Sequence, residues 1–217
     1  MNFSASRKWM SPLPVHLDKD GHPTINFSVV TPVGPRENHR RWLPECLESV
    51  RTQSLSAYEH ILVVQPPNLT FEPDPRTRTH VVNLSWEFGP WCINIGIESA
   101  LSEWIVVLCS DDYLLPDCLK QLDERIRRIG RQSFYLRFPM IDSDGAGLPG
   151  GNCFHKDLWR SVGGYPYGIQ TMDQEMVSSI LLSPNIDQPS VYDSMTGPLL
   201  YHRRHPEQWS KVGRWPE

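Results

Sequence analysis

The residues best suited to chemistry form one short segment, Cys109-Ser110-Asp111-Asp112. It sits at the end of the longest strongly apolar stretch of the chain, Trp104 to Cys109. Such a run predicts a buried strand, and ligands of open α/β sheets bind beyond the carboxyl ends of the strands. Adjacent carboxylates repel each other unless something positive lies beside them. An oxygen-preferring divalent cation, Mg²⁺ or Mn²⁺, supplies that charge and bridges to substrate phosphates. The alternative stays open at this point: Asp111 caps the helix beginning near Pro116, and Asp112 is solvated. Further along, TMDQEM puts Asp173 in a first helical turn, where the helix dipole favours negative charge. The tail YHRRHPEQWSK is basic, with Trp209 as a lid or packing residue. Arg125, Arg127, Arg128, Arg131 and Arg137 suit a phosphate-rich acceptor or, more commonly, a solvated helix face.

These groups need a scaffold, and hydrophobic periodicity outlines one. Phe27 to Val30 predicts a strand closed at Thr31-Pro32. Leu43, Cys46, Leu47 and Val50 share one helical face, with Pro44 in the first turn. His60 to Val64 and Thr79 to Leu84 predict two more strands, separated by a Pro-rich loop over residues 66–78. Ile93, Ile97, Ala100 and Leu101 form a second helical face. Trp104 to Leu108 predicts the fourth strand, and Leu119, Leu122, Ile126 and Ile129 a third helix. Ser133 to Ile141 predicts a strand before the turn signal Asp144-Gly145. A short segment between Gly150-Gly151 and Gly163-Gly164, a helix over Met172 to Leu182 and a strand over Leu199 to Tyr201 complete the order. The alternation predicts an α/β domain with a mostly parallel central sheet flanked by helices.

Composition narrows the class. The 217 residues allow one domain, and 39% hydrophobic with 21% charged residues is ordinary globular usage. A net charge of -4 argues against a strongly basic nucleic-acid binder. Twenty prolines, about 9% against a usual 5% or so, mark many loops. Five scattered cysteines without a CxxC pair fit reduced thiols in a cytosol, and the N-terminus lacks the apolar core of a secretory signal. The expectation is a cytoplasmic protein able to act at a membrane face. The sequons at Asn2, Asn26, Asn68 and Asn83 are then chance matches.

The run LPECLESVRTQSLSAYEHILVV, followed by WCINIGIESALSEWIVVLCSDDYLLPDCL, resembles the family-two inverting glycosyltransferases of GT-A (Rossmann-like) fold. Pro32, Leu47, Ser49, Gln53, Asn94, Gly96, Ala100, Asp111, Asp112 and Pro116 match the family pattern. GGNCFHKDLWRSVGGYPYGIQTMDQEM resembles the acceptor half, so the similarity spans roughly residues 26–210. No single motif is specific; their order and spacing are. The resemblance implies an N-terminal arm over 1–24, a nucleotide-sugar half over 25–130, an acceptor half over 131–198 and a basic lid over 199–217. It implies that Asp111 and Asp112 hold Mn²⁺ or Mg²⁺ on the diphosphate of a nucleotide sugar, a UDP-sugar first of all. It implies His205 on the metal or a phosphate, Arg203 or Arg204 on phosphate oxygens, and donor contacts from Pro32, Gln65, Asn94 and Ser110. Gly96 is read first as allowing close packing, and Trp91 either lines the sugar pocket or packs in the core. Asp173 matches the general base that deprotonates the acceptor hydroxyl, with Glu175 as the fallback.

Two departures stand out. Gln65 replaces the acidic group that usually meets the nucleotide base, and Cys109 replaces the first Asp of the D-x-D turn. A third is Met172, where a Glu often precedes the catalytic Asp. They keep a non-catalytic sugar-nucleotide-binding module in view. A nucleotidyltransferase is the other alternative, although Thr31-Pro32-Val33-Gly34-Pro35-Arg36 makes a poor phosphate loop. The acceptor stays open among a glycan, a lipid-linked sugar, a protein, a small molecule and a modified nucleic-acid base. Its recognition falls to core loops, the arm, the tail or a homo-oligomer partner.

Overall fold

A computed structural model describes residues 17, 21, 23–66, 74–82, 89–130, 134–166, 172–183, 191–192 and 197–205. Most of the N-terminal arm, Arg131, Trp209 and the tail beyond His205 lie outside the described residues. The elements run β1 (Phe27–Val33), α1 (Asn38–Arg41), α2 (Leu43–Arg51), β2 (Glu59–Val64), β3 (Thr77–Val81), α3 (Gly89–Ser99) and β4 (Trp104–Val107). They continue with β5 (Tyr113–Leu114), α4 (Cys118–Ile129), β6 (Tyr135–Asp142), β7 (Gly147–His155), α5 (Lys156–Ser161), α6 (Met172–Leu182), β8 (Val191–Tyr192) and β9 (Leu200–His202).

One mixed sheet carries the nine strands of the described residues, ordered β3-β2-β1-β4-β7-β6-β9-β5, with β8 beside β6. The β3-β2-β1-β4 half is parallel. β7 runs antiparallel to both β4 and β6, and β5 runs antiparallel to β9. β4 shows why the parallel half was legible. Trp104, Val106 and Leu108 enter one apolar cluster, while Ile105 and Val107 enter the other. A strand apolar on both faces belongs between helical layers. Cys46 and Val50 of α2 and Leu119, Leu122 and Ile126 of α4 cover one face. Ile93 and Ile97 of α3, Leu158 of α5, and Met176 and Ile180 of α6 cover the other.

β1 runs through Pro32, three residues beyond the expected end. Pairing with β4 stops at Val30↔Val107, whereas pairing with β2 continues to Val33↔Val64. The missing N–H of Pro32 therefore falls where β1 has a neighbour on one side only, which a strand tolerates. β3 starts two residues and ends three residues earlier than expected. As an edge strand with no buried residue it carries no apolar run to mark it. β7 was not among the expected strands; the sequence marked only a short segment between Gly150-Gly151 and Gly163-Gly164. Its glycines are packing sites: a Cβ built on Gly151 would lie 2.0 Å from Phe138 Cε2, and one on Gly150 2.2 Å from Met140 Cε.

Gly96 has the same cause. A Cβ there would lie 2.4 Å from Val30 Cγ1 and 3.2 Å from Val63 Cγ2, so α3 packs directly on β1 and β2. Gly96→Ala is expected to lower stability. Overpacking costs about 1–3 kcal/mol, only partly offset by the roughly 1 kcal/mol that Ala gains over Gly in a helix. A urea titration checks this, and an unchanged or higher midpoint would contradict it.

His60 sits in β2 at 4% exposure, its Nε2 2.9 Å from Thr31 Oγ1. Burial pushes it from the ordinary 6.5 down to about 4. Between those values the unfolded chain binds the proton and the folded one does not. His60 therefore stabilises the fold fully above 6.5, and that contribution falls with pH toward 4 by at most about 1.4 kcal/mol per unit. Urea unfolding of wild type and His60→Gln at pH 7 and pH 5 is expected to show the steeper acid loss in wild type. Parallel losses would exclude His60 as the cause.

Candidate functional site

The site begins where the apolar strand runs out. Leu108 N still donates to Val30 O (3.0 Å), and Cys109 O then accepts Asp112 N (3.1 Å). That turn presents Ser110, Asp111 and Asp112 at the carboxyl end of β4 before the chain enters β5. Helix α2 holds the turn from beneath. Cys46 Sγ reaches Cys109 O at 3.7 Å, and Ser49 Oγ accepts Leu114 N at 3.1 Å. Gln53 donates to Leu115 O (2.8 Å) and accepts Leu119 N (3.0 Å). The spacing Cys46, Ser49, Gln53 thus satisfies backbone groups from the acidic turn to the first turn of α4.

The C-terminal segment lies across the carboxylates. Asp112 is 5% exposed; its Oδ1 meets His202 Nδ1 at 3.1 Å and Arg203 N at 3.0 Å. Burial raises the Asp112 carboxyl above the usual carboxylate range, against the hydrogen bond from His202. The same hydrogen bond raises His202. The Asp111 charge adds to the rise at Asp112. Asp111 Oδ2 stands 3.0 Å from His205 Nε2, and Asp111 O accepts Arg203 Nε at 3.1 Å. The Arg203 guanidinium also pairs with Glu45 and lies 5.1 Å from the Trp42 ring centroid, and the His205 ring packs against Trp42 at 4.6 Å. Tyr113 stacks on Tyr201 at 4.7 Å.

Of the expected site residues, Ser110, Asp111, Asp112 and His205 come together. Pro32 lies in β1. Gln65 follows β2 and is 2% exposed; its N donates to Val33 O, and its O accepts Arg40 Nη2 at 2.9 Å. Asn94 departs from expectation: its Nδ2 donates to Tyr165 O (2.9 Å), while its Oδ1 accepts Tyr165 N (2.9 Å) and Trp159 Nε1 (2.8 Å). This amide ties α3 to the chain after α5 instead of facing a nucleotide. Arg204 also departs: it pairs with Asp142 Oδ2 at 2.5 Å and Asp144 Oδ2 at 3.5 Å, not with a phosphate pocket. Asp173 is the second residue of α6, and its side chain lies outside the described part of the structure. Glu175 is exposed on α6. Trp91 is 41% exposed, so it is not a core residue. Arg127 is exposed and pairs with Asp123.

Sequence reasoning missed His202, Trp42 and Glu45. Their link to the acidic turn is tertiary, and the available signal was that His202 continues the β9 pattern beside Tyr201. It also undervalued Cys109. This exposed thiol offers a donor atom that lies, with one oxygen each of Asp111 and Asp112, within a 4.8 Å group. A second such group, Glu103, His155 and Asp157, lies near the opposite ends of β4 and β7, where Arg160 pairs with both carboxylates. No helix among the described residues is long and apolar enough to cross a membrane.

The model of the family described as Glycosyl transferase family 2 matches residues 28–178. "Succinoglycan biosynthesis protein ExoO" of Rhizobium meliloti (strain 1021) is 38% identical over 77 residues, 35% of this chain and 22% of that protein. The fold matches S. aureus TarS 1-349 in complex with UDP-GlcNAc at TM-score 0.68 and 17% identity, covering 88% of this chain and 62% of that one. The complex of the same protein with UDP matches at TM-score 0.64 and 18% identity, covering 87% and 63%. The chain thus spans less than two thirds of each of these relatives.

Proposed function

The chain belongs to glycosyl transferase family 2, and from that premise we propose that it moves a sugar from a UDP-sugar to an acceptor hydroxyl with inversion. The acidic turn at the carboxyl end of β4, roofed by His202–His205, is the observation that carries the reading. In an inverting displacement the acceptor oxygen bonds to the anomeric carbon as the bond from that carbon to the diphosphate oxygen breaks. Asp173 takes the hydroxyl proton as the new bond forms.

The donor set fits a divalent cation. Asp111 Oδ2 lies 3.0 Å from His205 Nε2, and Cys109, Asp111 and Asp112 bring one donor atom each into a single small group. Asp111, Asp112 and His205 would hold the ion, with the Cys109 thiol in reach; a thiol among oxygens favours Mn²⁺ over Mg²⁺. Bound there, it neutralises the charge that develops on the departing nucleoside diphosphate.

The test is a thermal-shift panel of nucleotide sugars with and without Mn²⁺. A UDP-sugar at about 100 times its Kd adds about 2.7 kcal/mol, or roughly 5–10 °C for a domain of this size. The rise is expected to need Mn²⁺. No shift with any nucleotide sugar would sink the proposal, and binding without turnover would leave only a binding module.

A further inference from the structure

The Asp142–Arg204 ion pair joins two parts of the molecule that the chain keeps far apart. Asp142 ends β6, and its side chain is fully buried (0% exposed). Its Oδ1 accepts Asp144 N and Ala146 N, both at 2.9 Å, which closes the hairpin into β7. Its Oδ2 faces Arg204 Nη2 at 2.5 Å, and Arg204 Nη1 lies 3.5 Å from Asp144 Oδ2. A buried carboxylate is costly without a partner, so the hairpin needs the guanidinium as much as the tail needs the hairpin.

What Arg204 anchors is the roof of the acidic turn. β9 lies between β6 and β5, in register Asp142↔His202 on one side and Tyr113↔Tyr201 on the other. The three residues flanking Arg204, His202, Arg203 and His205, reach Asp112 and Asp111. Arg204 alone turns away, to the hairpin. We propose that Asp142 and Arg204 are positioning residues: their ion pair holds His202–His205 over Asp111 and Asp112 and so sets affinity for the donor, with no contact between Arg204 and the donor itself. The inference rests on the donor reading above.

A double-mutant cycle tests it. Asp142→Asn keeps the acceptor oxygen that closes the hairpin and removes the charge; Arg204→Gln removes the partner. Each single change is expected to raise the Kd and KM for a UDP-sugar with Mn²⁺ about tenfold, with kcat unchanged. The double variant is expected to show the same tenfold loss and not a hundredfold one, because one shared interaction is removed. Exchange of the Arg203 amide, which donates to Asp112, is expected to quicken about tenfold in both variants without donor, while amides of β1 and β4 are unaffected. Three results would overturn the proposal. Arg204→Gln weakens donor binding while Asp142→Asn does not, as a direct phosphate contact requires. The two losses multiply. The amide exchange quickens with donor affinity unchanged. Wild-type protein that binds no nucleotide sugar would remove the donor reading instead, and the exchange measurement would still decide whether the ion pair anchors the segment.

Discussion

Asp111→Asn is expected to lower kcat by about 10²–10³-fold, the usual loss when one preorganised electrostatic group is removed from a reacting charge. The fold is expected to survive. The Asp111 side chain is 20% exposed and pairs with the His205 ring, 3.0 Å away. The turn itself depends on backbone groups, through Asp112 N on Cys109 O and through Ser49 of α2 and Gln53 just beyond it. Asparagine keeps the shape and removes the charge that a cation requires. Initial rates at saturating donor, with a thermal melt alongside, check both parts. Wild-type turnover in the variant would end the assignment. Asp112→Asn is a different experiment: Asp112 is buried under His202 and the Arg203 amide, so lost activity there mixes with loosening of the C-terminal segment.

Asp173→Asn is expected to cost about 10²–10⁴-fold in kcat, the range for removing a general base, with donor affinity unchanged. Asp173 is the second residue of α6, a position at which the helix dipole favours negative charge. The helix is firmly seated, since Met176 and Ile180 are fully buried in the cluster holding Leu158 and Tyr165. Glu175, exposed on the same helix, is the internal control. Glu175→Gln is expected to stay within about twofold, because surface changes away from a site seldom matter. A reversed pattern, with Asp173→Asn active and Glu175→Gln dead, would move the base two residues along.

Much of the scaffold was legible because its strands are apolar on both faces. β1, β2 and β4 lie between two helical layers, so burial alone marks them in the chain. The edge and short strands were not legible. β3 has no buried residue, β5 has two residues, and β7 opens on glycines that look like loop until Phe138 and Met140 pack on them. Asn94 and Gly96 belong to one motif, and of the two only the close packing at Gly96 was expected. The asparagine fastens α3 to Tyr165 and Trp159, and the glycine lets α3 approach Val30. Both hold the layers that position the site without standing in it.

Sequence alone determined the acidic pair and its place after a buried strand, because carboxylates adjacent in the chain remain adjacent in any fold. It also determined the helix faces and the family resemblance, since these rest on local spacing. Only the tertiary structure decided what covers the pair. His202 and Asp112 lie 90 positions apart, and Arg203 and Glu45 158. No local pattern records such contacts; they arise when β9 inserts between β6 and β5. That insertion turned two of four successive tail residues in different directions, His205 onto Asp111 and Arg204 onto the buried carboxylate of Asp142.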